Sequence, residues 1–179
     1  MRTKLAALAA AVGMAGATVA FLVLPSSADE PPAPITVEPL TPRSEFTDDV
    51  TTQIKLKLDG KRTTVLNSAD PSRVVTAKIT VQPGARFPWH THPGPVIVNV
   101  TQGELIYVNA DDCVERPYAA GTLFIDPGRG NVHTAFNPTD TVTVVMATFF
   151  EAPETGPLTI TEGIEEPENC HVPVGAHSH

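Results

Sequence analysis

Three histidines in this 179-residue chain have the spacing of metal ligands. His90 and His92 stand two positions apart, and on a β-strand residues i and i+2 point to one face, so both imidazoles can reach a single ion. His133 follows a second glycine-rich turn, DPGRGNVH, at the start of another segment in which apolar residues alternate. Three neutral imidazoles with positions left open are the arrangement of a catalytic-type metal site rather than a closed structural one. Such a site leaves a divalent ion its full charge, so its open positions favour a small-molecule ligand, an anionic one above all.

The elements that must carry these histidines read as strands. Pro88, Pro93 and Pro95 crowd the first pair, and proline cannot serve a central ladder, so this segment belongs at a strand end, bulge or edge. QIKLKL alternates apolar and polar residues over 53–58 and runs into Asp59-Gly60, a hairpin signal. RVVTAKITV, VIVNV, ELIYVN, TLFI, VHTAF and TVTVVMATFF follow, separated by PG, QG, AG, PGRG and NPTD. Nothing of helical period and useful length lies among them, which predicts an all-β sandwich or barrel.

Gly84, His90, His92 and Gly103 form one motif in this order, and Gly121, Pro127, Gly130, His133 and Asn137 form a second. In both, the chain resembles the cupins over about residues 73–150, the second motif carrying one extra residue between Pro127 and Gly130. The resemblance implies a single jelly-roll β-barrel and one divalent metal ion on His90, His92 and His133. Iron, manganese, zinc and nickel all occur among cupins, so the identity of the ion stays open. The glutamate that usually follows the second histidine is replaced by Val96, leaving a three-histidine variant of the site. Glu104 and Asp126 are the nearest acids, and neither stands out as a general base. The stretch WHTHPGPVIVNVTQGELIYV, together with Cys113 and Cys170 further along the chain, is also similar to small exported bacterial cupins, a likeness that supplies no substrate.

The flanks imply export. Arg2 and Lys4 precede an uncharged apolar run over 5–24, followed by small residues up to Ala28, so residues 1–28 read as a signal peptide, with an uncleaved membrane anchor as the competing reading. Residues 29–45 are proline-rich and read as a spacer, 46–152 as the barrel, and 153–179 as an acidic, histidine-containing tail with an edge strand near 158–161. Cys113 and Cys170 are expected to pair in an oxidising compartment, with two free thiols as the alternative.

With 41% hydrophobic and 18% charged residues, the chain is sized for one core. Twenty acidic against twelve basic residues, a net charge of −8, argue against nucleic acid as a partner. Trp89, Val96, Tyr107, Phe124 and Phe136 are candidates to line a ligand cavity, core filling being the common use of aromatics. Asn137 reads as a turn cap, and Arg86 and Arg129 as rim charges. The functional expectation is an exported metal-binding cupin acting on a small molecule, of oxygenase or isomerase type. A non-catalytic cell-surface binding module and a scaffold barrel, dimerising through the 53–58 edge, are the alternatives.

Overall fold

The computed structural model describes residues 34–71, 73–170 and 172. The signal or anchor segment and His171, His177 and His179 of the tail lie outside the described residues. Those described contain eleven strands and no helix: β1 (Ile35–Pro39), β2 (Ser44–Glu45), β3 (Thr52–Leu56), β4 (Thr64–Ser68), β5 (Arg73–Val81), β6 (Val96–Gln102), β7 (Glu104–Asn109), β8 (Glu115–Ala119), β9 (Leu123–Asp126), β10 (His133–Phe136) and β11 (Thr143–Phe149). All pairings are antiparallel. One sheet runs β1-β5-β11-β6-β9 with β2 beside β5, a second runs β10-β7-β8, and β3 with β4 forms a separate hairpin.

Alternation explains how the two larger sheets close on each other. Burial alternates residue by residue along β11 and along β5 from Val74 onward, as a half-buried antiparallel strand requires. Ala77, Ile79 and Val81 from β5, Val145, Ala147 and Phe149 from β11, and Val96 and Val100 from β6 face Leu105 and Tyr107 from β7 and Ala135 from β10 in one core. This is the jelly-roll barrel expected of the sequence. Asn137, fully buried, closes the turn between β10 and β11: its Nδ2 donates to the Val81 and Thr141 carbonyls, and its Oδ1 accepts from the Thr139 amide and hydroxyl.

Two expectations are corrected. The segment before residue 45 is not all spacer, because Ile35–Pro39 pairs with β5 along its whole length and Ser44–Glu45 adds a short pair beyond it. Pro39 is tolerated because it ends an edge strand, where its missing N–H breaks no central ladder. The tail contributes no extended edge strand near 158–161, only a single bridge between Thr91 and Ile160. The hairpin expected of 53–58 is present, since β3 pairs with β4, and Lys61, next to its turn, bonds Asp111 and Asp112 of the barrel.

A disulfide joins Cys113, after β7, to Cys170, 57 positions later, with Cα atoms 5.2 Å apart. It anchors the tail beside Trp89, Val108, Phe136 and Val172, a small apolar cluster outside the barrel interior.

Candidate metal centre

The loop before β6 carries His90 and His92, β10 begins at His133, and the backbone locks the two segments together. His90 and His133 form an isolated antiparallel bridge in which each amide donates to the other's carbonyl at 2.9 Å. One turn away, the Arg129 amide donates to the His92 carbonyl at 2.8 Å. The approach requires glycine, since a Cβ on Gly128, which sits at φ +59°, would collide with the Gly94 carbonyl. Thr91, between the two histidines, points the other way: it bridges to Ile160, and its hydroxyl accepts from the Gly130 amide.

The three rings converge inside the barrel. Centroids lie 4.1 Å apart for His90 and His133, 4.9 Å for His90 and His92, and 5.2 Å for His92 and His133. One nitrogen from each ring falls within 4.8 Å of the others, a cluster able to hold a metal ion. Each Nδ1 faces a backbone carbonyl: that of Pro88 at 2.7 Å for His90, Leu158 at 2.7 Å for His92, and Asn131 at 3.2 Å for His133. A carbonyl only accepts, so Nδ1 carries the proton and every Nε2 presents a bare lone pair, the tautomer that ligates. Burial enforces neutrality, driving His90 and His133 down to about 3 and lowering His92 as well.

Asp126 stands beside them, 1% exposed. Its Oδ1 accepts from the Gly128 amide at 3.0 Å, the Asn131 amide group at 3.2 Å and the Tyr107 hydroxyl at 3.4 Å. Its Oδ2 has no donor, yet lies 3.1 Å from His133 Nε2 and 3.4 Å from His92 Nε2. With neutral rings these contacts are not ion pairs: an acceptor faces two acceptors unless a proton or a cation lies between them. Burial pushes the Asp126 carboxyl upward, against the pull of His92. The donor set, three bare imidazole nitrogens beside a buried carboxylate oxygen without a donor, fits a cation.

The surrounding cavity is apolar. Val96, Val98, Leu105, Phe124, Val145 and Phe149 are among its walls, and the histidines, Asp126, Tyr107 and Thr159 are its residues with polar groups. Its volume is about 110 Å³, against roughly 150 Å³ for an apolar cavity that takes up benzene. Val37, 58% exposed, belongs to its lining, so the cavity reaches the surface past β1.

Of the residues proposed as cavity walls, Val96, Tyr107 and Phe124 lie there, while Trp89 and Phe136 do not. Trp89 immediately precedes His90, and Phe136 is three past His133, so strand alternation sends both to the opposite face, into the cluster beside the disulfide. Arg86 pairs with Glu166 at 2.8 Å, and Arg129 with Glu151, so both rim arginines are engaged away from the histidines. Asp126 is the site residue to which the sequence assigned no role. The available signal was parity: Phe124 and Asp126 are two apart on β9 and share a face.

Residues 77–150 match the family model described as a cupin domain. The (R)-mandelonitrile lyase of Granulicella tundricola is 33% identical over 71 residues, 40% of this chain and 54% of that protein. The chain thus spans about half the length of the curated relative it matches. Among solved structures, the Cupin_2 domain of an XRE family transcriptional regulator from Enterobacter cloacae aligns with 68% of this chain and 99% of its own, at 18% identity and a TM-score of 0.44. A cupin-2 domain containing protein from Shewanella frigidimarina aligns with 42% of this chain and 68% of its own, at 20% identity and a TM-score of 0.36.

Proposed function

Residues 77–150 match the cupin domain model, and from that premise we propose that the chain is an exported metalloenzyme acting on a small, largely apolar molecule. The observation that carries the reading is the convergence of three bare Nε2 atoms, each fixed by a carbonyl behind it, at the polar end of an apolar cavity. His90, His92 and His133 would hold one divalent ion, iron, manganese, zinc or nickel. Such an ion polarises a coordinated oxygen and lowers the pKa of a bound hydroxyl or water.

The chain's own groups do the rest. The walls from β6, β7, β9 and β11 desolvate the ligand, and the cavity opens past β1 for the part of it that the interior does not hold. The relative's name places a lyase among the chemistries to test beside oxygenase and isomerase reactions. In cyanohydrin cleavage the carbon–carbon bond to the nitrile breaks, cyanide leaves with its electron pair and takes up the hydroxyl proton, and an aldehyde remains. A polar end that binds a hydroxyl and an apolar end that takes a ring suit that substrate. The disulfide is compatible with an oxidising compartment, which agrees with the export reading of residues 1–28.

The test is turnover by metal-loaded protein of mandelonitrile and of a panel of small hydroxylated and enolisable compounds, beside a His90→Ala/His92→Ala variant. Turnover abolished in the variant is the expected result. Metal-dependent retention of a compound without turnover would replace the enzyme by a binding module.

A further inference from the structure

We propose that Asp126 is a fourth protein ligand of this centre, supplying from β9 the carboxylate that position 96 of β6 does not provide. The inference rests on the metal-binding reading above and adds to it a residue outside the three-histidine set.

The two oxygens of Asp126 have different surroundings. Oδ1 is held by two donors, the Gly128 amide and the Asn131 amide group, and lies 3.4 Å from the Tyr107 hydroxyl, whose single proton it shares with Asn109 Oδ1. That anchoring fixes the carboxylate plane, as an outer set of hydrogen bonds does for metal ligands. Oδ2 is buried with no donor and aimed at the Nε2 atoms of His133 and His92. A purely structural role, tying down the loop between β9 and β10, accounts for Oδ1; a proton on Oδ2 would satisfy one of the two Nε2 atoms it faces, whereas a cation serves both.

The distances suit shared coordination. Ligand bonds of about 2.1 Å place neighbouring donor atoms about 3.0 Å apart at a right angle and about 3.4 Å apart at a tetrahedral angle. Oδ2 lies 3.1 Å from one Nε2 and 3.4 Å from the other. A cation between them would turn three mutually repelling acceptors into three ligands.

The sheet register makes the relocation simple. Val96 and Asp126 are direct partners in the antiparallel pairing of β6 with β9. Directly opposed residues project to one face with Cβ atoms about 5 Å apart, and both side chains line the cavity. A carboxylate on either strand can therefore serve the same centre. With Asp126 as a ligand the loaded site carries one unit of positive charge rather than two, so its preference for anionic ligands is weaker than three neutral histidines alone imply.

The experiment compares wild type, Asp126→Asn and the double variant Val96→Glu/Asp126→Asn, titrated with zinc by chelator competition and with cobalt(II) by visible absorption. Asparagine keeps the Oδ1 acceptor and removes the charge. The expected result is a zinc affinity at least about 100-fold weaker in Asp126→Asn, an altered cobalt spectrum, and recovery to within about tenfold in the double variant. Independently of any variant, cobalt-loaded wild type should give hyperfine-shifted methylene proton resonances that vanish when aspartate is deuterated at its β-carbon.

Unchanged zinc affinity and cobalt spectrum in Asp126→Asn, or no aspartate resonance in the wild type, would overturn the ligand role and leave the three-histidine centre standing. A wild type that binds neither metal would overturn both readings.

Discussion

His90, in the loop before β6, and His133, the first residue of β10, exchange both backbone hydrogen bonds at 2.9 Å, so their imidazoles are held side by side before any ligand arrives. The centre is thus built by main-chain pairing between two segments distant in sequence, and its geometry depends on how closely they approach.

Gly128 sets that approach. Gly128→Ala would place a methyl group against the Gly94 carbonyl at a positive φ. It should destabilise the protein by more than about 2 kcal/mol and weaken metal binding about tenfold or more by parting the loops. Gly130→Ala is the control, at φ +85° with open space around it, and should cost only about 1 kcal/mol. Urea unfolding of the two variants decides this; equal losses would contradict it.

The disulfide closes the chain between Cys113 and Cys170. In the chain-entropy account a loop of that length is worth about 4 kcal/mol. Cys113→Ser/Cys170→Ser should lose about that much in urea unfolding, and added reductant should lower the wild type toward the variant without affecting the variant itself.

Acid should destabilise the metal-free protein through its buried histidines. In the unfolded chain they titrate near 6.5, while burial holds His90 and His133 at about 3 in the fold. Between those values the unfolded state binds more protons, so stability is complete above about pH 6.5 and declines as the pH falls toward 3. Asp126, pushed upward by burial, opposes this slope. The histidine contribution is therefore read as the difference between wild type and His90→Ala/His133→Ala in urea midpoints from pH 7 to 5. The wild type should show the steeper loss.

Much of this architecture is legible in the sequence because strand alternation is a strong signal. The cavity-facing residues of β5, β6 and β11 follow from it, as do the two histidines sharing a face. The same rule, applied to the neighbours of the histidines, sends Trp89 and Phe136 outward, where aromatic character alone had suggested the cavity. β1 was obscured because the prolines around Ile35–Pro39 suggest an isolated spacer, whereas its hydrogen bonds are supplied by β5, a partner distant in sequence. Asp126 was passed over for a related reason: its significance lies in being opposite Val96 across a strand pair, a relationship fixed by register and not by distance along the chain.

The central claim is that His90, His92 and His133 hold a metal ion, and the direct test is the metal content of the protein purified without a polyhistidine tag. It is measured by plasma mass spectrometry beside His90→Ala/His92→Ala. The account predicts about one equivalent of a single divalent metal per chain, absent from the variant. No metal in the wild type, even after incubation with iron, manganese, zinc and nickel, or equal metal in both proteins, would contradict it.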